Sequence, residues 1–161
     1  MLLDRADRAI VTALQENARL TNGELSERIG LSPSACLRRV NTLERKGLIA
    51  GYHATIDMAK IDYDVMVMVQ ITLTGQASTI LNDFERAVVR IPNLLACFLM
   101  AGTKDYILRV AARDVADYGQ IHANHLSSLP HVQSMESNFI LRSVMNRGLP
   151  VVLLGPRACA E

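Results

Sequence analysis

Ser32-Pro33-Ser34-Ala35-Cys36-Leu37-Arg38-Arg39-Val40-Asn41-Thr42-Leu43-Glu44-Arg45-Lys46 reads as a helix with two unlike faces. Ser32 supplies a capping side chain, and Pro33 takes the first helical position, where a missing N–H costs nothing. Cys36, Val40 and Leu43 recur at i, i+4 and i+7, the spacing of one buried stripe. Ser34, Arg38, Asn41 and Arg45 lie on the opposite side, with Arg39 and Thr42 flanking them. Arg38, Arg39, Arg45 and Lys46 against the single Glu44 concentrate positive charge on this segment.

Working outward, Leu3, Ala6, Ile10, Ala13 and Leu14 fall on one helix face that ends at Asn17-Ala18-Arg19. A short second helix is predicted next, with Asn22 as its N-cap, Leu25 and Ile29 inward, and Gly30 closing it in a left-handed conformation. A tight Gly-Leu-Ser turn then leads into the basic helix. This is the pattern of a helix-turn-helix. In such a unit the last helix enters the major groove. Arginine suits phosphates and guanine, asparagine can read adenine, and serine near a helix start meets phosphate. Ser32, Ser34, Arg38, Arg39, Asn41, Thr42 and Arg45 are therefore the candidate contacts to double-stranded DNA.

Beyond Lys46-Gly47 the period changes. Leu48–Ile56 is rich in strand formers and suits the wing of a winged helix or a connecting strand. Residues 1–52 thus form a helix-turn-helix head, and 53–64, ending in the polar Asp57–Asp64, form a connecting strand and hinge. Residues 65–144 are predicted as strand Val65–Thr74, helix Ser78–Ile91, strands Leu94–Ala101 and Asp105–Ala112, helix Val115–Leu129 and strand Val132–Val144. The order β-α-β-β-α-β is that of a ferredoxin-like sheet with both helices on one face. The apolar first strand implies that the other face is covered too, so a homodimer is expected. The fold class is α+β. Residues 145–161 form a tail whose apolar run Val151–Leu154 is expected to dock on a neighbouring subunit.

Composition narrows the function. Half of the 161 residues are apolar, only 4% are aromatic, tryptophan is absent and the formal charge is +1. Few aromatics disfavour proteins that stack unpaired bases, and nucleic-acid affinity must come from local clustering of charge. No apolar run reaches membrane-spanning length and the N-terminus lacks a signal-peptide core, so a cytoplasmic location without a membrane partner is expected. Cys36, Cys97 and Cys159 are odd in number and form no Cys-x-x-Cys pair, which fits a reduced compartment and no zinc site. His122 and His125 are one helical turn apart without a third ligand, and neither a nucleophile–base pair nor a phosphate loop is evident. No metal, no cofactor and no catalytic residues are expected.

The run Leu3-Asp4-Arg5-x-Asp7, Leu31-Ser32-Pro33-x-x-Cys36-Leu37-x-Arg39-Val40-x-x-Leu43-Glu44-x-x-Gly47-x-Ile49-x-Gly51-Tyr52, with Gly102-x-x-Asp105-Tyr106 and Leu129-Pro130-x-Val132, resembles the leucine-responsive/asparagine-regulator (Lrp/AsnC, "feast or famine") family of regulators. The resemblance spans residues 2 to about 144. It implies a DNA-binding head, a ferredoxin-like (RAM/ACT-like) sensing domain, amino-acid effectors, and dimers that commonly assemble into octamers, as tetramers of dimers. It further implies an effector lodged between dimers near the loop joining the two middle strands, here Ala101–Tyr106. Gly102 would allow close backbone approach, and Asp105 could accept from an α-ammonium group. Thr103 and Lys104 stand where the family usually has an acidic and then an aromatic residue, which leaves room for an effector with a further carboxylate. Ser134, Glu136 and Asn138 share one face of the last strand and are candidates for lining the same cleft. Siroheme-decarboxylase-like enzymes on the same two-domain plan are the alternative, with His122, His125, His131 and Arg109 as the candidate side chains.

Overall fold

The computed structural model describes residues 3–146, 148–150 and 154. Two compact units emerge, Met1–Thr55 with Val144–Glu161, and Ile56–Ser143.

The first unit is built on α1 (Arg5–Glu16), α2 (Asn22–Ile29) and α3 (Pro33–Arg45). Asp4 caps α1 by accepting from the Asp7 N–H at 2.8 Å. The cap of α2 is Thr21, one residue before the expected Asn22. Thr21 Oγ1 accepts from Glu24 N while Glu24 Oε2 accepts from Thr21 N at 2.7 Å. That reciprocal pair satisfies two orphan N–H groups, which Asn22 alone cannot do. Asn22 instead sits inside the helix and donates from Nδ2 to Pro33 O at 2.9 Å, bracing α2 against the start of α3. Gly30 closes α2 at φ 70°, a conformation that any side chain would strain.

Ile10, Ala13, Leu25, Cys36 and Leu43 are the buried centre of this unit, with Leu14, Leu20, Ile29, Leu31, Val40 and Ile49 packed around them. Residues 50–57 enter no strand ladder with another described segment. Tyr52 is tied back to α3 instead, its hydroxyl donating to Glu44 Oε1 at 2.8 Å. The tail returns to the same unit: Gln15 Nε2 donates to Leu149 O at 3.3 Å, Gln15 Oε1 accepts from Leu149 N, and Leu154 is buried. Val151–Leu153, expected to dock on a neighbour, lie outside the described residues.

In the second unit a 3₁₀ turn at Met58–Ile61 stands where the hinge was expected. It leads into β1 (Val65–Leu73), α4 (Ser78–Val88), β2 (Leu94–Leu99), β3 (Tyr106–Ala112), α5 (Val115–Ile121) and β4 (Val132–Phe139). The sheet order is β2-β3-β1-β4, antiparallel throughout, with Val69 opposite Leu108 on one side and Ser137 on the other. Val67, Val69, Ile71 and Leu73 of β1 join Leu108 and Val110 of β3, Phe84 and Val88 of α4, and Tyr118 and Ile121 of α5 in one core. Both helices therefore cover the same face. Burial of one such aliphatic or aromatic side chain contributes roughly 1.5–3 kcal/mol. On the opposite face Met66, Met68, Gln70 and Thr72 are only half-buried, and Phe98 is 54% exposed.

Element ends differ from expectation. β4 stops at Phe139 rather than Val144 because its partner runs out: Ile140 N still donates to Met66 O, and β1 begins at Val65. The helix expected to reach Leu129 widens at Ile121 into a π turn over His122–Leu126. Among the described residues no helix is long and apolar enough to cross a membrane.

Candidate functional site

The outward side of α3 assembles most of the expected DNA contacts. Ser34, Leu37, Arg38, Asn41, Thr42 and Arg45 line one shallow depression. Ser32 adjoins it, its hydroxyl 3.3 Å from that of Ser34. The Thr42 hydroxyl donates to Arg38 O at 2.8 Å, which fixes its orientation. Arg38 and Arg45 have no ion-pair partner among the described residues, so both guanidinium groups are free to meet an external anion.

Arg39 stands apart. Its Nη1 lies 2.7 Å from Asp4 Oδ2 and 2.7 Å from Asp7 Oδ1, and its side chain is only 33% exposed. The capping N–H of Asp7 and then the Arg39 guanidinium hold the Asp4 carboxyl below its ordinary value, and the two carboxylates raise Arg39 further. Arg39 is expected to flank the DNA-facing stripe; its observed partners are separated from it by more than thirty residues, at the cap and first turn of another helix. Leu37 was overlooked. Its place three residues after Ser34 and four before Asn41 was the readable signal.

The second candidate site lies on the loop between β2 and β3. Gly102 and Thr103 are exposed, and a Cβ on Gly102 would meet nothing within 4 Å. Lys104 Nζ lies 3.1 Å from Glu136 Oε2, so the loop and β4 contribute to one spot. Asn138 shares that strand face two residues on, opposite Met68, and Ser134 lies opposite Thr72. Asp105 is buried: Oδ2 accepts from Leu73 N at 2.7 Å and Oδ1 from Gln76 Nε2 at 3.0 Å. Its backbone N–H donates to Ile71 O, and its carbonyl accepts from Met100 N. This one residue staples the loop to the end of β1.

Elsewhere the candidates disperse. His131, at φ 60°, is 3.3 Å from Asp83 Oδ2; His122 meets the Tyr118 ring edge-on; Arg109 is on β3 opposite Met68 and Ala96. Among the described residues no group of three His, Cys, Asp or Glu side chains is placed to hold a metal ion. Burial pushes the Cys97 thiol up to about 11 and raises Cys36 as well, which keeps both protonated and unreactive near neutrality.

Comparison with known proteins assigns a domain type to each unit. Residues 66–150 match the Lrp/AsnC ligand binding domain, and residues 3–50 a winged helix-turn-helix DNA-binding domain. The Bkd operon transcriptional regulator of Pseudomonas aeruginosa is 38% identical over 148 residues, covering 92% of this chain and 97% of that protein. The leucine-responsive regulatory protein of Escherichia coli is 37% identical over 142 residues, 88% of this chain and 87% of that one. Among solved structures, a transcriptional regulator from Neisseria meningitidis in complex with L-Met superposes with a TM-score of 0.88 at 35% identity, covering 94% of this chain and 99% of that chain.

Proposed function

Since the chain belongs to the Lrp/AsnC family of transcriptional regulators, we propose that it grips double-stranded DNA with the outer face of α3 and responds to an amino acid bound at the β2–β3 loop. The observation that carries the DNA half is the depression of Ser34, Arg38, Asn41, Thr42 and Arg45 on the last helix of a helix-turn-helix. Arg38 and Arg45 neutralise phosphates or read guanine, Asn41 reads adenine, and Ser32 and Ser34 meet the backbone. Arg39 holds α3 to α1 through Asp4 and Asp7.

The effector half rests on the loop and on two relatives: one is named for leucine, and the other holds L-Met. Gly102 and Thr103 lend backbone, and Lys104 pairs with the effector carboxylate. Glu136 and Asn138 line the strand side. Asp105 keeps a free lone pair on each oxygen for an α-ammonium group. Lys104 carries three donors and now meets Glu136, and an ion pair near the surface is worth only about 0–1 kcal/mol, so little opposes its turning to an effector.

Homodimers form through the sheet face that carries Met66, Met68 and Phe98 and assemble into a tetramer of dimers in the cytoplasm. An effector between dimers favours one assembly, and DNA affinity shifts by the difference in its binding to the two states. A two-fold dimer calls for half-sites about one helical turn apart. The test is a thermal-shift screen over the amino acids, followed by gel shifts on selected duplexes with and without the hit. A ligand that raises the unfolding midpoint and changes DNA affinity supports the reading. No retained duplex, or no stabilising amino acid, removes the corresponding half.

A further inference from the structure

Leu37 lies on the outward side of α3 among the proposed DNA contacts, and neither core packing nor hydrogen bonding accounts for it there. Its side chain is 49% exposed, while Cys36 and Leu43 of the same helix are buried at 0% and 2%. A lone exposed leucine on a protein surface needs no explanation. This one lines the same depression as Ser34, Arg38, Asn41, Thr42 and Arg45, and it lies one turn from Ser34 and from Asn41. It is an apolar group ringed by hydrogen-bonding and cationic ones.

That ring selects the partner. A second copy docking here through a two-fold axis would bring Arg38 and Arg45 against their own equivalents. An apolar protein surface would have to strip water from both guanidinium groups without pairing them, a cost of several kcal/mol. Duplex DNA supplies phosphates for the arginines and, in the major groove, a single kind of apolar feature: the C5 methyl of thymine. Every other base edge there offers a donor or acceptor that an isobutyl group would desolvate and leave unpaired.

We infer that Leu37 is a specificity-determining residue that packs on the C5 methyl group of a pyrimidine, thymine in ordinary DNA, within each half-site. The inference rests on the DNA-binding reading above. Because Leu37 is uncharged, the contact adds sequence preference and contributes nothing to salt dependence. The same chemistry would accept 5-methylcytosine.

The test uses the full chain. Duplexes retained from a randomised pool define the site, and each conserved thymine is then replaced in turn by uracil, which deletes the methyl group alone. One thymine per half-site is expected to matter, with affinity falling about fourfold per half-site, the worth of one buried methyl. Leu37→Ala should bring the thymine-to-uracil ratio at that position close to one and leave the salt slope at the wild-type value. Leu37→Met, which keeps an apolar contact, should retain most of the discrimination. Cytosine at the same position should be improved by C5 methylation in the wild type and unaffected in Leu37→Ala.

Equal binding of thymine and uracil at every position, or full discrimination surviving in Leu37→Ala, overturns the inference while the DNA-binding reading stands. Loss of self-association in Leu37→Ala with discrimination intact also overturns it and assigns the side chain to a contact between copies. Failure of the wild type to retain any duplex sinks the DNA-binding reading itself.

Discussion

Arg39 Nη1 and Asp4 Oδ2 lie 2.7 Å apart, and the same nitrogen is 2.7 Å from Asp7 Oδ1. One guanidinium thus joins the middle of the recognition helix to the first turn of α1. Its near neighbour Arg38 has no such anchor among the described residues, and the two arginines should behave differently. Arg38→Ala is expected to weaken DNA binding and flatten log K against log[salt] by about 0.9, the loss of one phosphate contact. Arg39→Ala should weaken binding with a slope close to wild type and should also lower the thermal midpoint. Affinities at four salt concentrations, with a melting curve for each variant, check this.

Asp4 provides a pH signature. Its carboxyl is held below the ordinary value of 3.8, first by the capping N–H of Asp7 and then by Arg39. A folded pKa below the unfolded one stabilises the head at all pH values above the ordinary carboxylate range. That contribution fades as pH falls through the depressed value. Asp4→Asn keeps a capping oxygen but not the charge. Its melting temperature should therefore lie below wild type at neutral pH and converge with it in strong acid. A constant offset across the whole range would contradict the assignment.

Asp105 is the staple of the second unit. Asp105→Ala strands the Leu73 N–H and is expected to cost about 1–3 kcal/mol in denaturant unfolding, the price of a buried unpaired donor. Asp105→Asn, which can still accept from Leu73, should cost less. Effector binding is then best compared between wild type and Asp105→Asn, whose fold is the better preserved.

Lys104 and Glu136 should matter more for ligand choice than for stability. Their pair is exposed enough that Lys104→Ala or Glu136→Ala is expected to change unfolding free energy by less than about 1 kcal/mol. Lys104→Glu should shift the thermal-shift profile away from dicarboxylic effectors and towards cationic ones. Identical ligand rankings in wild type and Lys104→Glu would remove the loop from the effector site.

Much of this was legible in the chain, and the reasons are local. The stripe Cys36, Val40, Leu43 announced α3 because burial imposes a period that side chains must follow, and the apolar, strand-sized run from Val65 announced β1. Most of what escaped was decided by partners distant in sequence. Nothing near Arg39 announces Asp4, and nothing near Asp105 announces Leu73 and Gln76. The C-terminal end of β4 depended on where β1 begins, and the cap of α2 on a reciprocal bond between Thr21 and Glu24 that outcompeted Asn22. Leu37 was passed over because an apolar residue on a polar stripe looks like noise until the stripe has a ligand.

The peptide of Leu149, held on both sides by the amide of Gln15, brings the chain's last segment back to the unit where it began. In connectivity the sensor is a guest inserted between two parts of its host. Cutting the backbone after residue 143 would leave the guest whole and relieve the host of one of its two covalent links to it.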